Sequence, residues 1–196
     1  MPPLTQALIV SNILVFMLDR MLGGAVSAWF ALWPLGSGRF LPWQVASYAF
    51  LHASLAHLAF NMLGLWMFGR ELEQVWCSQR LGVFYAASVL TAALAQLLVT
   101  SALGSTAPTV GASGGLFGLL IGFAMLFPRR TIMLLLPPIP MPARLFVTLY
   151  GLIELTLGVT GTASGVAHFA HLGGLLGGWL VMRYWRGQSP FPRGPR

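Results

Sequence analysis

Val110-Gly111-Ala112-Ser113-Gly114-Gly115-Leu116-Phe117-Gly118-Leu119-Leu120-Ile121-Gly122-Phe123-Ala124-Met125-Leu126-Phe127 carries no charge and, apart from Ser113, no polar side chain; Pro128-Arg129-Arg130 closes it. A continuous apolar run of this length, without the alternation of a half-buried strand, reads as a helix in lipid, where the backbone must satisfy its own hydrogen bonds. Counting back from Pro128 at 1.5 Å per residue puts Ser113 roughly 22 Å from one edge of a ~30 Å hydrocarbon core, hence ~8 Å beneath the other. A hydroxyl at that depth is inert unless a base activates it.

The rest of the chain agrees with that reading. Of its 196 residues 57% are apolar and only 8% charged, against roughly 25% charged in soluble domains; mean hydropathy is +0.77. A soluble domain is excluded. Six apolar segments are predicted as spanning helices: Leu4 to Leu22, Trp43 to Phe68, Leu81 to Leu103, Val110 to Phe127, Leu145 to Thr160 and Val166 to Tyr184. The expected class is therefore all-α, a polytopic membrane protein with a six-helix bundle over residues 1–186, followed by a disordered basic tail, 187–196. The first segment has no basic residue before it and no small-residue cleavage site after it, so it reads as a retained helix.

All eleven basic residues are Arg. With a cytoplasmic N-terminus, Arg70, Arg80, Arg129, Arg130, Arg144, Arg183, Arg186, Arg193 and Arg196 fall on the cytoplasmic side and only Arg20 and Arg39 outside, which predicts both termini in the cytoplasm. Scattered over loops, these charges suit contact with the lipid bilayer and form no nucleic-acid stripe. The aromatic stretch Gly23 to Pro42 is expected at the outer interface, and the run Pro137 to Pro142 as a stiff cytoplasmic connector. Cys77, the single cysteine, permits no internal disulfide.

Polar residues inside apolar spans carry the functional signal. His52, His57 and Asn61 fall on the second segment, the four-residue step putting His57 and Asn61 on one face. His57, Asn61, Ser113 and His171 share one depth. The fourth segment bears Gly111, Gly114, Gly115, Gly118 and Gly122, and the sixth Gly173, Gly174, Gly177 and Gly178. Such small-residue ridges let helix backbones approach closely, which can bring Ser113 to a histidine. Of the four acids, Asp19, Glu71 and Glu73 lie at membrane edges; Glu154, within the fifth segment, is expected to make an inter-helix hydrogen bond.

His52-Ala53-Ser54-Leu55-Ala56-His57-Leu58-Ala59-Phe60-Asn61, Gly111-Ala112-Ser113-Gly114 and Ala170-His171-Leu172-Gly173-Gly174 together resemble, in order and spacing, the bacterial rhomboid intramembrane serine proteases over nearly the whole chain. The resemblance implies a Ser-His dyad without an acidic third member and without metal or cofactor. Ser113 would be the nucleophile and His171 the general base. His57, Asn61 and the Ser113 backbone N–H would hold the oxyanion. It further implies that Phe117 packs on the catalytic imidazole, that Gly111, Gly114, Gly174 and His52 support the site, that Phe60 lies near a substrate gate, and that Glu73 ties the base of the second helix to its neighbours. His168 is the rival base, but His171 heads the H-x-x-G-x-x-x-G run. Gln44 stands after Trp43 where many relatives carry Arg, which puts the stability of the first loop in question.

On this reading the partners are single-pass or polytopic membrane-protein substrates, in a prokaryotic cytoplasmic membrane. Two other classes remain: a metalloprotein ligated by His52, His57, His168 and His171, and a proteolytically silent relative that binds membrane-protein clients.

Overall fold

In a computed structural model, which describes residues 1–133, 138–161 and 167–187, nine helices follow one another: α1 (Pro3–Met21), α2 (Ala25–Phe30), α3 (Gln44–Ser47), α4 (Leu55–Gly64), α5 (Arg70–Trp76), α6 (Ser78–Leu103), α7 (Ser113–Leu126), α8 (Ala143–Thr160) and α9 (His168–Trp185). A π-helical turn, Leu65–Gly69, joins α4 to α5. Strands β1 (Thr131–Met133) and β2 (Pro140–Pro142) pair antiparallel, Thr131 opposite Pro142. The described end of the Pro-rich connector is therefore a strand, and the prolines of β2 sit on its free edge, where a missing N–H costs nothing. Pro137, Val166 and the tail beyond Gly187 lie outside the described residues.

The protein is a polytopic helical membrane protein. Among the described residues α1, α6 and α8 are long and apolar enough to cross a bilayer, and Gln44–Phe50 with Leu55–Trp76 makes a fourth candidate bent by 96°. That bend corrects the second expected span. Trp43 to Phe68 is not one helix: the chain breaks at Leu51–Ser54, and the Ser54 hydroxyl accepts the His57 N–H as an N-cap (3.1 Å), so helix begins at Leu55. From there to Trp76 the helical run is roughly 33 Å long, enough to cross unaided. His52 consequently lies in the break, before the helix instead of on it.

Helix α7 has 14 residues, about 21 Å, and falls short of the bilayer. It can do so because it is enclosed: α7 packs against α6, α8 and α9, and the segment leading into it is buried at Thr109 and Ala112. Non-helical backbone at membrane depth is tolerated only where protein or an internal cavity covers it. A bridge between Leu32 and Thr109 ties that segment to the first loop. In that loop Gln44 is fully buried; its amide donates to Trp29 O and Arg39 O (both 3.1 Å) and accepts from Trp33 N (3.2 Å). Gln44 thus fastens the loop through three backbone groups without an arginine.

Helix α1 is held from below by Glu73 on α5. Its carboxylate accepts from Leu4 N (2.8 Å), Thr5 N (2.8 Å), the Thr5 hydroxyl (2.6 Å) and the Ser78 hydroxyl (2.6 Å). It therefore serves the orphan N–H groups at the start of α1 while also tying α5 to α6. Glu73→Ala should lower stability by about 3 kcal/mol, because buried donors are left without an acceptor. Thermal unfolding in detergent measures this; an unchanged midpoint would reduce the cluster to surface decoration.

Candidate active site

Gly111 sits at φ +133°, a conformation L side chains rarely adopt, and a Cβ there would meet His57 Cε1 at 2.8 Å and Nε2 at 2.9 Å, with Ser113 Oγ 3.5 Å away. Glycine is thus required twice over, and its missing side chain is what lets His57 and Ser113 face one small space. Gly111 N donates to Tyr48 O (3.0 Å), and the Tyr48 hydroxyl in turn donates to Val89 O (2.9 Å). The loop that presents Ser113 is therefore anchored to α6 through a tyrosine that sequence reading had not singled out.

Ser113 is the first residue of α7. Its Oγ lies 2.8 Å from Nε2 of His171. The two come together because α7 and α9 touch backbone to backbone. A Cβ on Gly174 would fall on the Gly114 carbonyl oxygen, and one on Gly178 would come within 2.9 Å of Gly118 Cα. Gly115 faces Tyr85, Gly118 also abuts Ser88, and Gly173 and Gly177 abut Thr91, so α6 closes over both ridges.

The ring of Phe117, one turn after Ser113, stacks on the His171 imidazole with centroids 4.3 Å apart and planes 7° from parallel. His57 and His52 meet edge to face at 5.0 Å, and His52 is almost wholly buried. Asn61 is buried and its amide donates to the His57 carbonyl (2.8 Å). Phe60, on α4, points outward and is 61% exposed.

One neighbour departs from the expected two-residue arrangement. Glu154 Oε2 lies 2.9 Å from His171 Nδ1 and 2.6 Å from His168 Nδ1. The inter-helix hydrogen bond expected of Glu154 is there, and its partner is the histidine that touches Ser113. The signal was present in the chain: Glu154 lies six residues before the end of α8 and His171 three residues into α9, at matching depth, and a carboxylate in an apolar span needs a donor. The donor set that could hold a cation also differs from the one expected. Among the described residues it is Glu154, His168 and His171, whose ligand atoms lie within 4.8 Å of one another; His52 and His57 are not part of it.

Fold and site together define a class: helical membrane proteins with a serine and a histidine in hydrogen-bond contact inside the bundle. Comparison with known proteins narrows it. The Rhomboid domain family model matches residues 39–187, and the chain belongs to the Rhomboid family. It is 32% identical over 188 residues to Rhomboid protease GlpG of Serratia proteamaculans (strain 568), covering 93% of this chain and 62% of that protein. It is 31% identical over 189 residues to Rhomboid protease GlpG of Yersinia pestis (strain Pestoides F), with the same coverage. To Rhomboid protease GluP of Bacillus subtilis (strain 168) it is 29% identical over 141 residues, 71% of this chain and 25% of that protein. The chain thus spans less than two thirds of the length of these relatives.

Proposed function

We propose that this protein is an intramembrane serine endopeptidase that hydrolyses peptide bonds in or next to transmembrane segments of other membrane proteins. The observation that carries the reading is the 2.8 Å contact between Ser113 Oγ and His171 Nε2. Ser113 Oγ adds to the scissile carbonyl carbon while its proton passes to Nε2, and the carbonyl π electrons move to oxygen. His57, Asn61 and the Ser113 N–H receive that oxyanion. The Nε2 proton then goes to the leaving amine as the C–N bond breaks, and water hydrolyses the acyl-enzyme by the same route in reverse. The Asn61 amide, now on the His57 carbonyl, turns to the oxyanion when substrate is present.

The substrate must unwind locally, because a helical backbone shields its carbonyls in lipid. The protein lies in a prokaryotic cytoplasmic membrane with both termini in the cytoplasm, so that Ser113 opens toward the outer side. Purified protein in detergent should cleave a fluorogenic transmembrane peptide and take up a fluorophosphonate at Ser113. Neither cleavage nor labelling would remove the protease reading and leave client binding.

Phe117 holds one face of the imidazole. A stacked pair of this kind contributes ~0.5–1.5 kcal/mol beyond its area, so Phe117→Leu should lower kcat by roughly 3- to 10-fold with KM unchanged. Steady-state kinetics decide, and a full kcat in the leucine variant would remove the ring from the mechanism.

A further inference from the structure

Three of the four carboxylates have an evident structural partner. Asp19 accepts from the Ser27 N–H and hydroxyl, Glu71 pairs with Arg130, and Glu73 caps α1. Glu154 differs. It sits in the middle of α8, a helix that buries only Ala143, Val147 and Glu154 and shows the rest of its surface partly or wholly outward. Its side chain is 95% buried, with both histidine nitrogens on one oxygen. An ionised carboxylate has acceptors only, so with Glu154 in that form each Nδ1 at that distance carries its proton.

That requirement has a chemical consequence. A neutral imidazole protonated on Nδ1 has its lone pair on Nε2, and the Nε2 of His171 faces Ser113 Oγ. The opposite tautomer would point an N–H at the hydroxyl and could not take its proton. We infer that Glu154 is a positioning residue of the hydrolytic site, completing an acid–histidine–serine relay across α8, α9 and α7; this rests on the protease reading above. Glu154 accepts the Nδ1–H of His171, fixes its tautomer and ring orientation, and stabilises the imidazolium formed when Ser113 is deprotonated. It gains no proton itself, so the only proton moved is the one between Oγ, Nε2 and the leaving group. His168 brings a second ring nitrogen to the same oxygen, 2.6 Å away, and so helps to aim the carboxylate.

A purely architectural Glu154 would tether α8 to α9 and no more, and the tests separate the two. Glu154→Gln keeps the length of the side chain and its capacity to bond α9, but it can present an N–H to His171 and so favour the wrong tautomer. Its kcat should fall by about 10²- to 10⁴-fold with KM and unfolding temperature near wild type, while Glu154→Asp, which restores a carboxylate, recovers part of the loss. The ¹⁵N-histidine spectrum of the wild-type protein, at a pH where His171 is neutral, should show a protonated Nδ1 and a bare Nε2; Glu154→Gln should shift that signal.

Undiminished kcat in Glu154→Gln, or a wild-type His171 protonated on Nε2, overturns the inference. The wild-type spectrum decides even if no variant folds. Failure of the protease reading looks different: wild type then neither cleaves nor labels. Active wild type with an equally active Glu154→Gln leaves the protease reading standing and removes only the relay.

Discussion

Ser113→Ala and His171→Ala should each reduce cleavage of a transmembrane peptide by on the order of 10⁴- to 10⁶-fold, and the double variant should be hardly worse than either alone. In the proposed mechanism the two groups act as one unit: without Oγ there is no nucleophile, and without Nε2, 2.8 Å away, nothing takes the proton at neutral pH. His168→Ala should keep measurable cleavage, because the ring nitrogen on Ser113 belongs to His171 and His168 reaches the site through Glu154. Initial rates on one peptide, with labelling of Ser113 as a count of competent sites, make the comparison. Full activity in His171→Ala with loss in His168→Ala would exchange the two histidines.

Gly174→Val should be the most damaging change away from the reacting groups. Its Cβ would overlie the Gly114 carbonyl oxygen, with the carbonyl carbon at 2.8 Å and Cα at 3.2 Å. These are backbone atoms and cannot rotate aside, so α7 and α9 must separate. Overpacking of this kind costs about 3 kcal/mol. Ser113 precedes Gly114 on α7, and His171 lies one turn before Gly174 on α9. The same separation therefore opens the Ser113–His171 contact, where a ~1 Å misplacement costs ~10²-fold in rate. Both unfolding temperature and kcat should fall together. Gly82→Ala is the control: its Cβ would meet only Leu4 Cδ2 at 3.4 Å, an ordinary contact, and alanine in a helix interior gains up to ~1 kcal/mol. A folded Gly174→Val protein with wild-type kcat would show that the glycine ridge does not set the site.

The sequence by itself determined the solvent and the class, and it singled out Ser113 and His171 as the candidate pair. Apolar runs of spanning length dictate helices because lipid offers the backbone no other partner. Ser113 and His171 stand out because polar side chains are costly there, and each heads a glycine ridge whose function is close approach. Tertiary structure decided which groups meet. Nothing in the period of the second segment marks the 96° break at Leu51–Ser54, because the apolar residues on either side of it continue at a density that a single helix would also show. The sequence puts the first loop in question at Gln44, and only the fold sets its amide on three backbone groups of that loop.

Glu154 is the plainest case. Its depth could be counted along the chain, but whether its carboxylate faced lipid, another helix or His171 depends on the rotation of α8 about its own axis. That rotation is set by packing of Ala143 and Val147 against the bundle and by the bonds to His168 and His171. Helical periodicity is a local property of a few turns, whereas the angle at which two helices cross is the joint property of both surfaces.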